Sequence, residues 1–436
     1  MIGIRREDKN RWERRAPLTP QHVSVLAGGQ RLGVRVQPSP IRAFPDAAYA
    51  AAGATITDDF SGCNVILGVK EVPEALLVPG AAYVFFAHVV KGQRHNMPML
   101  RRILDLGCSL VDYEKIVDDR GRRLIFFGLQ AGHSGMIDTL WALGRRLDHE
   151  GIHPNPFAGI RQAWQYETLA DAQTAVAAAG ERIVAEGLPA ELRPFVCGFA
   201  GYGNTYRGAA EVFDLLPMRE IHPEEIEAVA ADPNPPRDVV FKAVFHEEHT
   251  VVPASPWDRF ELQDYYLHPE RYRPVFEGYL PHLTLLLNCI YWEPKYPRLV
   301  TKEGLARLFA GECPPRLRVI GDVSCDVLGS IECTVRCTDP GDPVFVWDTR
   351  ESRDVPGVAG HGPVVLAVDN LPCELPIDAS EHFGDMLLPF VPALARCDWD
   401  LPLEALPLPP EILRAIVVHR GKLAPAFAYL ETHLAG

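Results

Sequence analysis

The sequence predicts an α/β protein made of two doubly wound, mostly parallel sheets with a cleft between them. Three observations carry that prediction. Short apolar runs alternate with helical segments through residue 130, the βαβα order that builds a parallel sheet with helices on both faces. A second strand, glycine turn and helix follow in RPFVCGFAGYGNTYRGAAEVF. The 436 residues are also enough for two ordinary domains, each with a core of its own.

Taken in order, residues 2–5 read as a first strand. In APLTPQHVSVLAGG, Thr19 can cap a helix, Pro20 suits its first turn, and Gly28 and Gly29 end it. A strand at 33–37, a short helix at 46–52 and strands at 65–69 and 82–87 come next. A helix near 97–105 precedes a strand ending in VDYEK, and residues 122–127 read as one more strand. Residues 134–150 have helical periodicity and form the connector leaving the first domain. Residues 169–186 are Ala-rich and helical. Strands are expected at 195–197, 218–221, 317–322 and 363–368, with helices at 204–216, 410–418 and 424–434. The expected division is residues 1–140 plus 376–436 as a substrate-binding domain and 141–375 as a dinucleotide-binding one.

Hydrophobic residues at 47% and charged residues at 23% describe a globular chain. A formal charge of −14 argues against a nucleic-acid or anionic-membrane partner, since both need a basic footprint. An anionic substrate would therefore need a local positive pocket. Arg5, Arg6, Arg11, Arg14 and Arg15 offer one. The most apolar stretch, 280–292, is broken by Pro281, His282 and Asn288 and is too short to span a bilayer. Met1 leads at once into an apolar strand and then RRED, so no secretory leader is expected. The 10 cysteines show no CxxC, and free thiols in a reducing cytoplasm are expected. His246 and His249 in FHEEHTV are three apart, unlike HExxH, and no metal site is expected.

The stretch NVILGVKEVPEALLVPGAAYVFFAH holds the first candidate site. Its two strand-like runs are followed by Lys70 and His88. If the runs are neighbouring parallel strands, both side chains stand at the carboxyl edge of one sheet, where open α/β sheets place ligands. Alone, the lysine reads as a solvated strand end and the histidine as a hydrogen-bonded surface or core residue; together they read as an acid/base pair. The second candidate is the glycine turn. Gly201 and Gly203, with Asn204 opening the helix, form the arrangement in which backbone N–H groups receive a pyrophosphate. Gly208 completes GxGxxxxG, where GxGxxG is the usual fingerprint. On the next strand Arg219 and Glu220 stand side by side. A carboxylate suits a ribose hydroxyl and a guanidinium suits a 2′-phosphate, so the sequence does not choose between NAD and NADP. Tyr202 and Tyr206 stand in the turn where small residues are expected, and would crowd a pyrophosphate unless they turn aside.

Several longer segments now bear comparison with a known family: ERRAPLTP, ILGVKEVPE, FFAH, VDYEKIVDDRGRR, HPERY, IYWE, GDVSCDVLGSIE and DNLPCELPIDASEHFGDMLLP. They resemble, in the same order, lysine–2-oxoglutarate reductase, the reductase half of the bifunctional aminoadipic semialdehyde synthase of animals and plants. More distantly the chain is similar to fungal lysine-forming saccharopine dehydrogenase, to alanine dehydrogenase and to the nucleotide-binding part of transhydrogenase. The resemblance implies two Rossmann-like domains and an oxidoreductase acting on CH–NH bonds. The implied substrates are lysine and 2-oxoglutarate, the product saccharopine, and the coenzyme NADPH or NADH, with the resemblance leaning to NADPH.

Carried over by position, Lys70 and His88 fall on the family's acid/base pair and Glu114 on the carboxylate beside that lysine. Arg15 and Arg123 fall on binders of substrate carboxylates, for which a guanidinium fork is suited. Asp322 and Asn370 fall beside the nicotinamide. The animal and plant enzymes carry a second dehydrogenase domain, which is not expected here because the sequence ends at Gly436. Two other readings keep the fold: an alanine-dehydrogenase-like enzyme using ammonia and pyruvate, and a non-catalytic nucleotide-binding or interaction protein.

Overall fold

A computed structural model describes residues 1–311 and 315–434. It divides the chain into two compact units, Met1–Phe127 with Pro376–Gly436, and Gly128–Leu375. Each unit contains one eight-stranded sheet.

In the first unit the strands run in the order Lys422–Leu423, Ile416–His419, Ser109–Asp112, Ala82–Phe85, Val65–Leu67, Ile2–Ile4, Val34–Val36 and Thr55–Ile56. From Ser109–Asp112 to Thr55–Ile56 all are parallel; Ile416–His419 joins antiparallel. The central strands are buried at every position, which is why they read as unbroken apolar runs rather than alternating ones. The helix Met97–Asp105 carries Pro98 in its first turn and buries Met97, Met99, Leu100 and Ile103, the stripe that an amphipathic helix lays on a sheet.

In the second unit the order is Arg353–Pro356, Val344–Asp348, Val364–Leu366, Val319–Asp322, Leu285–Asn288, Phe195–Ala200, Val240–Phe245 and Met218–Ile221. The six strands from Val364–Leu366 to Met218–Ile221 are parallel, and the first two form an antiparallel edge. The helix Leu169–Glu186 starts on a capping box, in which the Asp171 carboxylate accepts from Thr168 N–H and the Thr168 hydroxyl accepts from Asp171 N–H.

Three expectations are corrected. Residues 122–127 are not a strand. A turn at Gly121 brings Arg123 back to a single bridge with Val117, too brief to nucleate a ladder. The expected helix over 410–418 stops at Ala415, and Ile416–His419 becomes a buried strand, as suits its β-branched run IVVH. Finally, the connector helix is Gly128–Glu150 and lies wholly in the second unit. The chain thus crosses at 127/128 rather than 140/141.

Candidate active site

The carboxyl edge of the first unit's sheet gathers most of its buried charge. Val65–Leu67, Ala82–Phe85 and Ser109–Asp112 are parallel neighbours, so the chain leaves all three at the same edge. Lys70, His88 and Glu114 follow those three strands in turn. The segment after Ile2–Ile4 adds Glu7, Glu13 and Arg15, all of them buried.

Glu7 fixes the backbone of the lysine loop: its two carboxylate oxygens accept from Val69 N–H and Lys70 N–H at 2.8 and 2.9 Å. Burial pushes its carboxyl up to about 7. The Lys70 amine is lowered from the ordinary lysine range by burial first, and then by the positive charges of Arg15 and Lys9. Among the carboxylates, Glu13 and Glu71 oppose that lowering most. Glu114 meets Arg123 at 2.9 Å, and its other oxygen is buried with no hydrogen-bond partner among the described residues.

His88 leaves its strand in the left-handed region, with φ of 47°, a conformation that L-residues hold only when their surroundings over-determine it. Its Nδ1 lies 2.6 Å from Glu71, while Lys9 approaches the same carboxylate at 3.4 Å. The Glu71 carboxyl lies well below the usual range. Burial opposes ionisation, but the His88 hydrogen bond and the His88 and Lys9 charges outweigh it. With an ionised acceptor beside it, Nδ1 carries the proton and Nε2 is the ring atom free to exchange one.

Arg15 is more enclosed than a substrate clamp would be. Its Nε and Nη2 meet the two Glu13 oxygens at 2.7 and 2.5 Å, and its guanidinium lies 4.2 Å over the Phe127 ring. That edge of the guanidinium is paired with Glu13. Arg123 is half-exposed and keeps a solvent-facing side beside Glu114. Sequence reasoning missed Glu71 and Glu13 as site residues, although each stands next to or within a quoted motif, VKEVPE and ERRAPLTP.

The second unit holds the glycine turn. Phe195–Ala200 leads to Gly201 at φ 98°, then to Gly203 as N-cap of the helix Asn204–Phe213. A Cβ on Gly203 would meet nothing within 4 Å, so the helix start is open to close approach by an anionic group. Gly208 does different work: a Cβ there would collide with the Leu129 carbonyl of the helix Gly128–Glu150. That helix crossing explains the stretched glycine spacing. Tyr202 turns aside to stack on His246, with ring centroids 4.2 Å apart, and Tyr206 packs edge-on against Phe199.

Asp322 is buried at its strand end, accepting from Asn288 at 2.8 Å and Thr334 at 2.6 Å, and its burial raises it to about 6. Asn370 opens the short turn Leu371–Cys373. Arg219 and Glu220 lie on the edge strand, where Glu220 meets the Lys242 amine at 3.1 Å and Arg219 lies over Phe241. No group of three or more potential metal ligands occurs among the described residues, and no described helix is long and apolar enough to cross a membrane.

Residues 3–134 match the family described as alanine dehydrogenase/PNT, N-terminal domain. An Arabidopsis thaliana alpha-aminoadipic semialdehyde synthase is 38% identical over 99% of this chain, which spans 41% of that relative's length. A lysine-forming, NAD(+)-specified saccharopine dehydrogenase of Neurospora crassa is 29% identical, with 92% of each chain covered. Among solved structures, an L-alanine dehydrogenase superposes with a TM-score of 0.62 at 17% identity, covering 99% of both chains. The chain is a homologue of the alpha-aminoadipic semialdehyde synthases along nearly its whole length, with an alanine dehydrogenase/PNT N-terminal domain and an alanine-dehydrogenase-like fold of two α/β units.

Proposed function

We propose that this protein joins the ε-amine of lysine to the keto carbon of 2-oxoglutarate and reduces the resulting imine to saccharopine, or runs that reaction in reverse, in lysine metabolism. The observation that carries the reading is the pairing, at one sheet edge, of a half-buried lysine whose amine is pushed down with a histidine held by an ionised Glu71. The relative named as a lysine-forming saccharopine dehydrogenase, similar over 92% of this chain, and the likeness to alpha-aminoadipic semialdehyde synthases support it. The first unit would then bind the amino and keto acids and the second the dinucleotide.

A nicotinamide coenzyme, NADH or NADPH, supplies the hydride when bound. The open space at Gly203, the positive φ of Gly201 and the free start of the following helix fit its pyrophosphate. The chain's own residues manage protons and charge. A neutral Lys70 amine takes the proton from the substrate ammonium, which frees the nucleophilic lone pair. His88, through Nε2, donates to the departing hydroxyl of the carbinolamine, and Glu71 stabilises the cationic ring before that transfer. Glu7 holds the Lys70 backbone so that the amine keeps its place. Arg123 offers its exposed side to a substrate carboxylate.

The test is loss of reduced-nicotinamide absorbance with lysine and 2-oxoglutarate together. Lys70→Met and His88→Gln are each expected to lower kcat by about 10²-fold or more, the ordinary weight of a general acid or base. Undiminished turnover in both variants would remove the acid/base assignment. Turnover with ammonia and pyruvate only would replace the substrates. A cytoplasmic setting goes with this reading, since Cys63, Cys108 and Cys397 of the first unit are free thiols.

A further inference from the structure

The order of strands in the second unit moves the coenzyme-selecting residue. Met218–Ile221 follows the glycine turn and its helix in the chain, yet it lies at the sheet edge. Val240–Phe245 comes later and takes the place beside Phe195–Ala200. In a dinucleotide fold, the residue that meets the adenosine ribose stands at the carboxyl end of the strand next to the glycine strand, because that end and the turn share one crevice. Here the two are tied directly: Gly201 N–H donates to the Phe245 carbonyl at 3.1 Å. The first carboxylate past that strand is Glu247.

Resting on the dinucleotide reading above, we propose that Glu247 is the ribose-binding, specificity-determining residue of this site, and that it selects NAD(H) over NADP(H). Its carboxylate is set in place by two phenols, accepting from Tyr266 at 2.5 Å and from Tyr202, the residue inside the glycine turn, at 3.1 Å. It lines a cavity of about 90 Å³ together with Gly201, Tyr202, Phe245 and His246. A carboxylate there accepts hydrogen bonds from ribose hydroxyls. A 2′-phosphate would bring about −1.5 to −2 of charge against it.

Several of the positive groups nearby have other partners. Arg298, on the cavity wall, donates to the carbonyls of Leu328 and Gly329 at 3.0 Å. His249 Nε2 faces Glu224 at 3.3 Å, and Lys242 is held by Asp214 and Glu220. His246 lies flat on the Tyr202 ring. Glu220, the carboxylate nearer in sequence to the glycines, sits within the edge strand and is neutralised by Lys242. Sequence spacing favours Glu220; strand order favours Glu247.

Binding separates the two. Dissociation constants of NADH and NADPH are measured with the full chain by nicotinamide fluorescence, with no amino or keto acid present. 5′-AMP and adenosine 2′,5′-bisphosphate serve as competing probes. NADH is expected to bind about tenfold or more tightly than NADPH, with 5′-AMP likewise ahead of the bisphosphate. Glu247→Gln keeps an acceptor for the tyrosines and is expected to bring the two coenzymes within about threefold, and Glu247→Arg to reverse the order. Glu220→Gln is expected to leave the ratio alone. Equal or tighter NADPH binding, a ratio indifferent to Glu247→Gln, or a ratio moved by Glu220→Gln would each overturn the assignment. Binding of neither coenzyme would overturn it together with the dinucleotide reading. NADH-selective binding without turnover of lysine and 2-oxoglutarate would support it and overturn only the proposed reaction.

Discussion

Buried carboxyls at the first unit's sheet edge tie stability to pH through single residues. Asp112 accepts from Glu114 N–H with one oxygen, and its side chain is fully buried. Burial raises it to about 7, from an ordinary value near 4. The folded state therefore holds its proton more tightly than the unfolded chain does. The contribution is fully present below pH ~4 and is lost as pH rises toward ~7, by about 4 kcal/mol for a shift of this size. Asp112→Asn removes the ionisation but keeps the oxygen that Glu114 N–H needs. Urea unfolding is expected to show the variant gaining on the parent by about 2–4 kcal/mol between pH 4 and pH 8, with little gain at the acid end. A constant difference across that range would reject the ionisation account. Glu7 carries the same sign over the same window, which makes the comparison with a parent chain necessary. Such burial of acid groups beside Lys70 and His88 is what a proton-handling site needs, and it costs stability at neutral pH.

At the scale of elements, the glycines of one motif divide into two physical roles. Gly203 faces open space, whereas Gly208 and Gly132 let two helices approach until backbone meets backbone. Gly208→Ala is expected to cost about 3 kcal/mol or more, read as a lowered urea midpoint, because the Leu129 carbonyl cannot move without its whole helix. Gly203→Ala is expected to change stability by under about 1 kcal/mol while weakening dinucleotide binding severalfold. Similar losses of stability in both variants would show that the turn is a packing device alone. The two roles were not separable in the sequence, since a glycine that admits a ligand and one that admits a helix look alike until the partner is known. The strand at Ile416–His419 was missed for a related reason. PEILRAIVVH has helical periodicity at its start and β-branched residues at its end, and only the open edge of Ser109–Asp112 decides where one gives way to the other.

For the whole molecule, the hydrophobic clusters follow the division of the chain. Among the described residues, the buried members of one core lie within 2–125 and 383–430, and those of the two large cores of the second unit lie within 136–375. A fragment of residues 128–375 is therefore expected to unfold cooperatively and to keep the 5′-AMP affinity of the full chain within about threefold. A fragment that stays unfolded would show that the second unit depends on the first. The first unit is discontinuous in sequence. Its strand Ile416–His419 and its buried Phe383 come from the far end of the chain, so residues 1–127 alone are expected not to hold a native sheet edge.

The sequence alone determined the α/β class, most strands and helices, the glycine turn and the neighbourhood of Lys70 and His88. Those features are written locally, in apolar runs of strand length, in caps and turn residues, and in a parallel order that places consecutive strand ends together. Only the tertiary structure decided which charges meet. It set Glu71 against His88 and Arg123 against Glu114, paired Arg15 with Glu13, and set Val240–Phe245 rather than Met218–Ile221 beside the glycine strand. Those pairings join residues from different strands and loops. The local sequence is the same whichever partner is reached; packing, and the cost of leaving a buried charge unpaired, make the choice.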